Sequence, residues 1–220
     1  MNTAIVLYDR FTALDAIGPY EVLSRLPGAS VTFVAAKPGP VHTDNGTLTL
    51  VADCSLEQAG RPDIVLVPGG PGDVVAHAGQ AVLDWLRAAD ETSTWTTSVC
   101  TGSLVLAAAG LLEGKRATTH WLAFERLRRL GVEPVAERVV FDGKLVTAAG
   151  VSAGIDMALT LAARVAGETV AQAIQLGIEY DPQPPFDAGS PQKAPAEIVE
   201  LLRSRRGSDL PARDPLAAAG

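Results

Sequence analysis

The sequence predicts an α/β fold with a mostly parallel central sheet covered by helices on both faces. Three observations predict it. Strand-like and helix-like stretches alternate along the chain. The runs "TAIVLY" at 3–8 and "DIVLV" at 63–67 are apolar on successive residues, as strands buried on both faces require. Finally, 220 residues of which 47% are hydrophobic are enough to bury the core of one large domain.

Taken in order, 3–8 is a buried strand, and a helix is expected over Pro19–Leu26 because proline suits a first helical turn after Gly18. "SVTFVAA" at 30–36 is the next strand. Residues 41–53 carry Asn45-Gly46 between alternating residues and read as an inserted hairpin. The strand at 63–67 runs into the glycine-rich turn "PGGPG". Val82, Leu83, Leu86 and Ala89 then recur at helical spacing. "WTTSV" at 95–99 is a strand, and Thr101–Leu112 is a helix apolar around most of its circumference, hence buried. A helix at 121–130, short strands near 138–141 and 144–148, a buried helix at 152–167 stopped by Gly167 and one further helix complete the pattern. Residues 181–195 are rich in Pro, Gly and Ser and are expected to form an ordered arm. The expected organisation is one domain over 1–206 followed by a flexible tail at 207–220.

Composition excludes several functions. A net charge of -7 argues against a nucleic-acid surface, which needs clustered Lys and Arg to offset phosphate. The basic groups Arg126, Arg128, Arg129 and Arg203, Arg205, Arg206 read as solvated helix faces. No apolar stretch reaches the ~18 residues a membrane span needs, and no basic leader precedes the first strand, so a cytoplasmic protein is expected. Two cysteines are too few for a disulfide framework, and with three histidines none of which stands at metal-ligand spacing, no zinc site is expected. The chemistry is therefore expected from side chains, with no cofactor.

Ligands of an open parallel sheet gather where strands end and helices begin. Asp15, Gly69 and Gly70, Cys100, and Val151 each follow a different strand, so four connections converge on one crevice. Cys100 stands where "WTTSV" passes directly to a helix through the small residues Thr101-Gly102-Ser103, the layout of a nucleophile elbow. The helix N-terminus is expected to lower the thiol pKa below its free value of ~8.5. Cys54 reads as a packing residue. Two residues compete to manage the proton: His120 in "ATTHW", and Asp15, whose other reading is a helix cap. Spacing alone does not choose between them. Gly69 and Gly70 are expected to present bare N–H groups to developing negative charge, since "GGPGDVV" lacks the order of a nucleotide loop.

"SVCTGSLVLAAAGLLEGKRATTHW" and "DIVLVPGG" resemble the nucleophile elbow and glycine turn of the DJ-1/PfpI superfamily. Within it, "LDAIGPYEVL", "RATTHW", "AAGVSAGIDMALTLAA" and "IEYDPQPPFDAGSP" resemble the isocyanide hydratases. The resemblance spans residue 3 to about 206. It implies a flavodoxin-like three-layer sandwich, a homodimer, and cofactor-free hydration of R–N≡C to an N-substituted formamide. It matches the nucleophile to Cys100, the following threonine to Thr101 and the active-site acid to Asp15, with Gly69, Gly70, Val151 and His120 as substrate-binding residues. The family's isoleucine near the pocket is Val151 here. A DJ-1-like glyoxalase or a PfpI-like amidase using Cys100 with His120 is the alternative. The sensory module of an AraC-type regulator is a further one, discounted here because it calls for a basic helix-turn-helix after residue 190.

Overall fold

The structure, a computed structural model, describes residues 1–205. The tail expected at 207–220 lies outside the described residues. The backbone forms two compact units, Met1–Ile178 and a second beginning at Glu179.

In the first unit, β1 (Asn2–Val6), α1 (Ala13–Leu23) and β2 (Ser30–Ala35) precede a hairpin of β3 (Gly39–His42) and β4 (Thr49–Ala52). Next come β5 (Cys54–Ser55), β6 (Ile64–Val67), α2 (Val74–Thr92), β7 (Trp95–Val99) and α3 (Gly102–Ala108). The chain continues through β8 (Arg116–Ala117), α4 (Phe124–Arg129), β9 (Glu133–Pro134), β10 (Val139–Asp142) and β11 (Leu145–Ala148), and ends with α5 (Ala153–Ala166) and α6 (Glu168–Gly177). The second unit holds the irregular segment 181–195, in which Phe186 is exposed, and α7 (Ala196–Arg205).

Seven strands form the main sheet in the order β10-β11-β7-β6-β1-β2-β5. All neighbours are parallel except β10 and β11. Read from β2 through β1, β6 and β7 to β11, the order is that of a flavodoxin-like sheet, whose direction of growth reverses beside β1. The crevice between β1 and β6 is therefore the place where a ligand site is expected. The register aligns the carboxyl ends: Val67 lies beside Ser98, and Val99 beside Ala148. Connections leaving β1, β6, β7 and β11 thus open at one rim.

Three boundaries differ from expectation. α1 begins at Ala13, and Pro19 lies inside it. A proline there deprives the Asp15 carbonyl of its helical partner. Its ring instead packs where Gly154 of α5 leaves space, since a Cβ on Gly154 would lie 3.1 Å from Pro19 Cγ. Close packing of α1 on α5 offsets the missing bond. α3 ends at Ala108 rather than Leu112, because Gly110 turns the chain with φ 82°. The hairpin is present, but as a separate two-stranded sheet tied to the loop after β1 by a bridge between Phe11 and Thr43.

Candidate active site

Cys100 sits between β7 and α3 with φ 58°, in the left-handed region that a side chain with a Cβ rarely adopts. Its surroundings hold it there. Its N–H is shared between the carbonyls of Ala148 (3.1 Å) and Ala149 (3.0 Å), and its own carbonyl accepts from the hydroxyls of Thr119 (3.0 Å) and Ser103 (3.2 Å). Gly102 lets the turn close, because a Cβ there would collide with the carbonyls of Val67 and Pro68. The elbow inferred from the sequence is present.

Asp15 enters from the first turn of α1, three residues past Thr12 at the N-cap position, and is fully buried. Its Oδ2 accepts from Gly69 N–H at 2.8 Å, and its carboxyl lies within side-chain hydrogen-bond reach of the Cys100 thiol. Oδ1 is buried without a hydrogen-bond partner. The carboxyl is pushed up to about 7 by burial first and then by the negative charge of Asp44, against the opposing pull of Gly69 N–H and of Cys100.

The thiol departs from expectation. Burial, and then the Asp15 charge, raise its pKa far above the free value, whereas the N–H groups of Val151 and Thr101 and the Thr101 side chain pull it back only in part. The helix N-terminus was expected to dominate. It does not, because Cys100 is only 6% exposed and shares its space with a carboxyl group. Sulfur and carboxyl are thus a coupled pair that holds protons in common.

Gly69 and Gly70 also differ from their expected role. The Gly69 amide donates to Asp15, and the Gly70 amide donates to Thr101 Oγ1 at 2.9 Å while that hydroxyl donates to Gly70 O at 2.7 Å. Both N–H groups hold protein side chains rather than facing open space. The turn must be glycine, since a Cβ on Gly69 would stand 2.5 Å from Thr101 N and 2.6 Å from its Oγ1.

Val151 stands in the turn between β11 and α5 with φ 27°, a strained value for a β-branched residue, and its N–H faces the sulfur. His120 is half-buried at the rim. Its ring packs on Gly150, where an added Cβ would lie 2.9 Å from Cδ2, and its Nδ1 accepts from Leu122 N–H at 3.3 Å. When neutral, the ring therefore carries its proton on Nε2. The groups acting on the thiol include Asp15, Val151 and Thr101.

Two residues escaped the sequence. Tyr8, in the loop just past β1, is buried beside the pair and donates its hydroxyl to Pro68 O at 2.5 Å. Its position at the end of an apolar run disguises it as core. Asp44 follows the first hairpin strand, where it accepts from Thr12 Oγ1 at 2.8 Å. Only its place before Asn45-Gly46 could have signalled it. Among the described residues no group of three or more His, Cys, Asp or Glu is placed to hold a metal ion, and no helix is long and apolar enough to cross a membrane.

Comparison with known proteins places the chain among its relatives. The isonitrile hydratase of Pseudomonas putida is 44% identical over 213 residues, 97% of this chain and 93% of that protein. The crystal structure of a ThiJ/PfpI family protein from Pseudomonas syringae superimposes with a TM-score of 0.90 at 36% identity, covering 94% of this chain and 86% of that one. The transcriptional regulator CdhR of Pseudomonas aeruginosa is 33% identical over 72% of this chain but only 48% of its own length. The DJ-1/PfpI family model matches residues 1–164, the stretch that carries Asp15, the glycine turn, Cys100 and Val151. The chain belongs to the DJ-1/PfpI family.

Proposed function

We propose that this protein hydrates isocyanides to N-substituted formamides, with Cys100 as nucleophile, Asp15 as proton carrier and Thr101 as a catalytic hydrogen-bond donor. The buried Asp15–Cys100 pair carries the proposal, and the near full-length likeness to an isonitrile hydratase supports it.

The chemistry starts from the pair holding one proton. That proton rests on sulfur, the more basic of the two; its passage to Asp15 frees the Cys100 thiolate, which attacks the terminal isocyanide carbon. The carbon lone pair takes the Asp15 proton, giving R–N=CH–S–Cys100. Asp15, now a carboxylate, accepts a proton from water as the water oxygen bonds to that carbon. The C=N electrons move to nitrogen, which takes the same proton from Asp15. In the last step Asp15 removes the hydroxyl proton, C=O forms, and the C–S electrons return to sulfur. R–NH–CHO leaves, and the pair again holds one proton.

The raised carboxyl pKa suits this cycle, because an acid and base working near neutrality must exchange protons readily in both directions. Thr101 has one hydroxyl proton and two acceptors, Gly70 O and the sulfur; it turns to the sulfur when charge collects there. Val151 N–H steadies the sulfur. Gly69 and Gly70 serve substrate binding indirectly, by fixing Asp15 and Thr101, and His120 walls the entrance.

We further propose a cytoplasmic homodimer, for which exposed Leu48 and Val51 on the hairpin offer apolar surface, and a single domain extending to residue 206. Light scattering and limited proteolysis check these. The activity is tested with p-nitrophenyl isocyanide, following formamide by absorbance in wild type, Cys100→Ala and Asp15→Asn. Turnover lost in both variants is expected. Activity surviving in Cys100→Ala sinks the covalent route, and survival in Asp15→Asn with loss in His120→Ala moves the proton to the histidine.

A further inference from the structure

One peptide group joins two observations made above. The bond between Pro68 and Gly69 offers its carbonyl to Tyr8 at 2.5 Å and its N–H to Asp15 Oδ2 at 2.8 Å. Donors and acceptors on the two ends of one amide polarise each other, so a hydroxyl on the carbonyl makes the N–H a better donor. The arrangement is enclosed: Tyr8, Asp15 and Gly69 are all buried, so water does not compete for these groups.

From this geometry we infer that Tyr8 is a positioning residue for proton transfer, acting on Asp15 through the Pro68–Gly69 peptide. It touches neither sulfur nor substrate in this scheme. Its phenol stays protonated across the working range, since burial and the nearby charges of Asp15 and Cys100 push it well above its ordinary value. The relay therefore always runs in one direction, from phenol to carbonyl and from amide to carboxylate. The titratable groups facing Asp15 are Cys100 from the β7–α3 turn, Asp44 from the hairpin and Tyr8 from the loop after β1. The Asp44 charge opposes ionisation of Asp15, whereas the Cys100 thiol, as a hydrogen-bond donor, favours it directly. Tyr8 favours it at one remove, by way of the amide. The inference rests on the Asp15–Cys100 reading but not on the identity of the substrate.

The test uses the full chain and reads Cys100 directly. Iodoacetamide alkylation of Cys100, followed by peptide mass across pH 5–10, rises as the pair loses its first proton and then levels. In Tyr8→Phe that inflection is expected to move up by about half a pH unit, with a higher plateau, because a poorer carboxylate leaves more charge on sulfur. The acidic limb of kcat/KM for p-nitrophenyl isocyanide should move with it, with KM unchanged. Thr97→Val, which removes a comparable buried hydroxyl from Val65 O, should leave the inflection in place. Replacing tyrosine by 3-fluorotyrosine, a stronger donor, should move it downward and needs no refolded mutant. An inflection that stays put in both Tyr8→Phe and the fluorinated protein overturns the inference. A shifted inflection in a protein that hydrates no isocyanide leaves the relay standing and defeats the hydratase reading.

Discussion

The two halves of the site are built on opposite plans. Cys100 is presented by its own neighbourhood in sequence, where a strand delivers it, Thr101 and Gly102 turn the chain and a helix leaves, while Ala148, Ala149 and Thr119 fasten its backbone. Asp15 depends on distant segments, with Gly69 supplied by the turn after β6, Asp44 by the hairpin and Tyr8 by the loop after β1. The first half is marked by local backbone strain, the second by tertiary hydrogen bonds and burial.

If the contrast is right, damage to the first half should be all or none. Cys100→Ala removes the nucleophile and is expected to lower turnover by at least about 10⁴-fold, measured under single-turnover conditions. Asp15→Asn should lower turnover by about 10² to 10⁴-fold, as for a general acid–base group. The same change should raise stability at pH 8. The sign follows from a folded-state pKa near 7 against about 4 in the unfolded chain: Asp15 favours folding below pH 4, and stability falls as pH rises from 4 to 7. Replacement by neutral Asn therefore gains up to about 4 kcal/mol at pH 8 and little at pH 4, which denaturant melts at both pH values will compare. An Asn variant equally stable at both would break the claim that burial tunes this carboxyl.

Gly69→Ala strikes where the halves touch. Its methyl would press on Thr101 and on Asp15 Oδ2 at 3.0 Å, so a loss of about 1–3 kcal/mol from overpacking is expected, with activity falling about 100-fold as the pair is displaced. The smallest effects separate the two plans most cleanly. Asp44→Asn removes a repelling charge at a distance and should lower the acidic limb of the rate profile by a few tenths of a pH unit. Thr119→Val removes one hydroxyl from Cys100 O and should cost about 1 kcal/mol in thermal melts while leaving that limb in place.

The same division explains what could be read from letters alone. A mostly parallel sheet covered on both faces follows from alternating strands and helices, and the elbow from consecutive residues, so both are legible. The Asn45-Gly46 hairpin was legible as a turn, yet nothing local tells that it leans on the loop after β1 and brings Asp44 toward Asp15. α1 was placed six residues late, because Gly18-Pro19 has the chemistry of a helix start and only packing against Gly154 tolerates it inside. The thiol pKa was misjudged for a related reason: a helix terminus is visible in sequence, whereas burial beside a carboxyl is not.

Among the described residues, four other than glycine adopt positive φ: Arg10, Cys100, Val151 and Glu179. The first three lie one at each of three connections that frame the crevice. Glycine at any of them would relax the backbone. A laboratory search that rewards only heat tolerance will therefore drift toward glycine at these corners and harvest robust, idle proteins. Selection schemes for hardened variants should score turnover in every round.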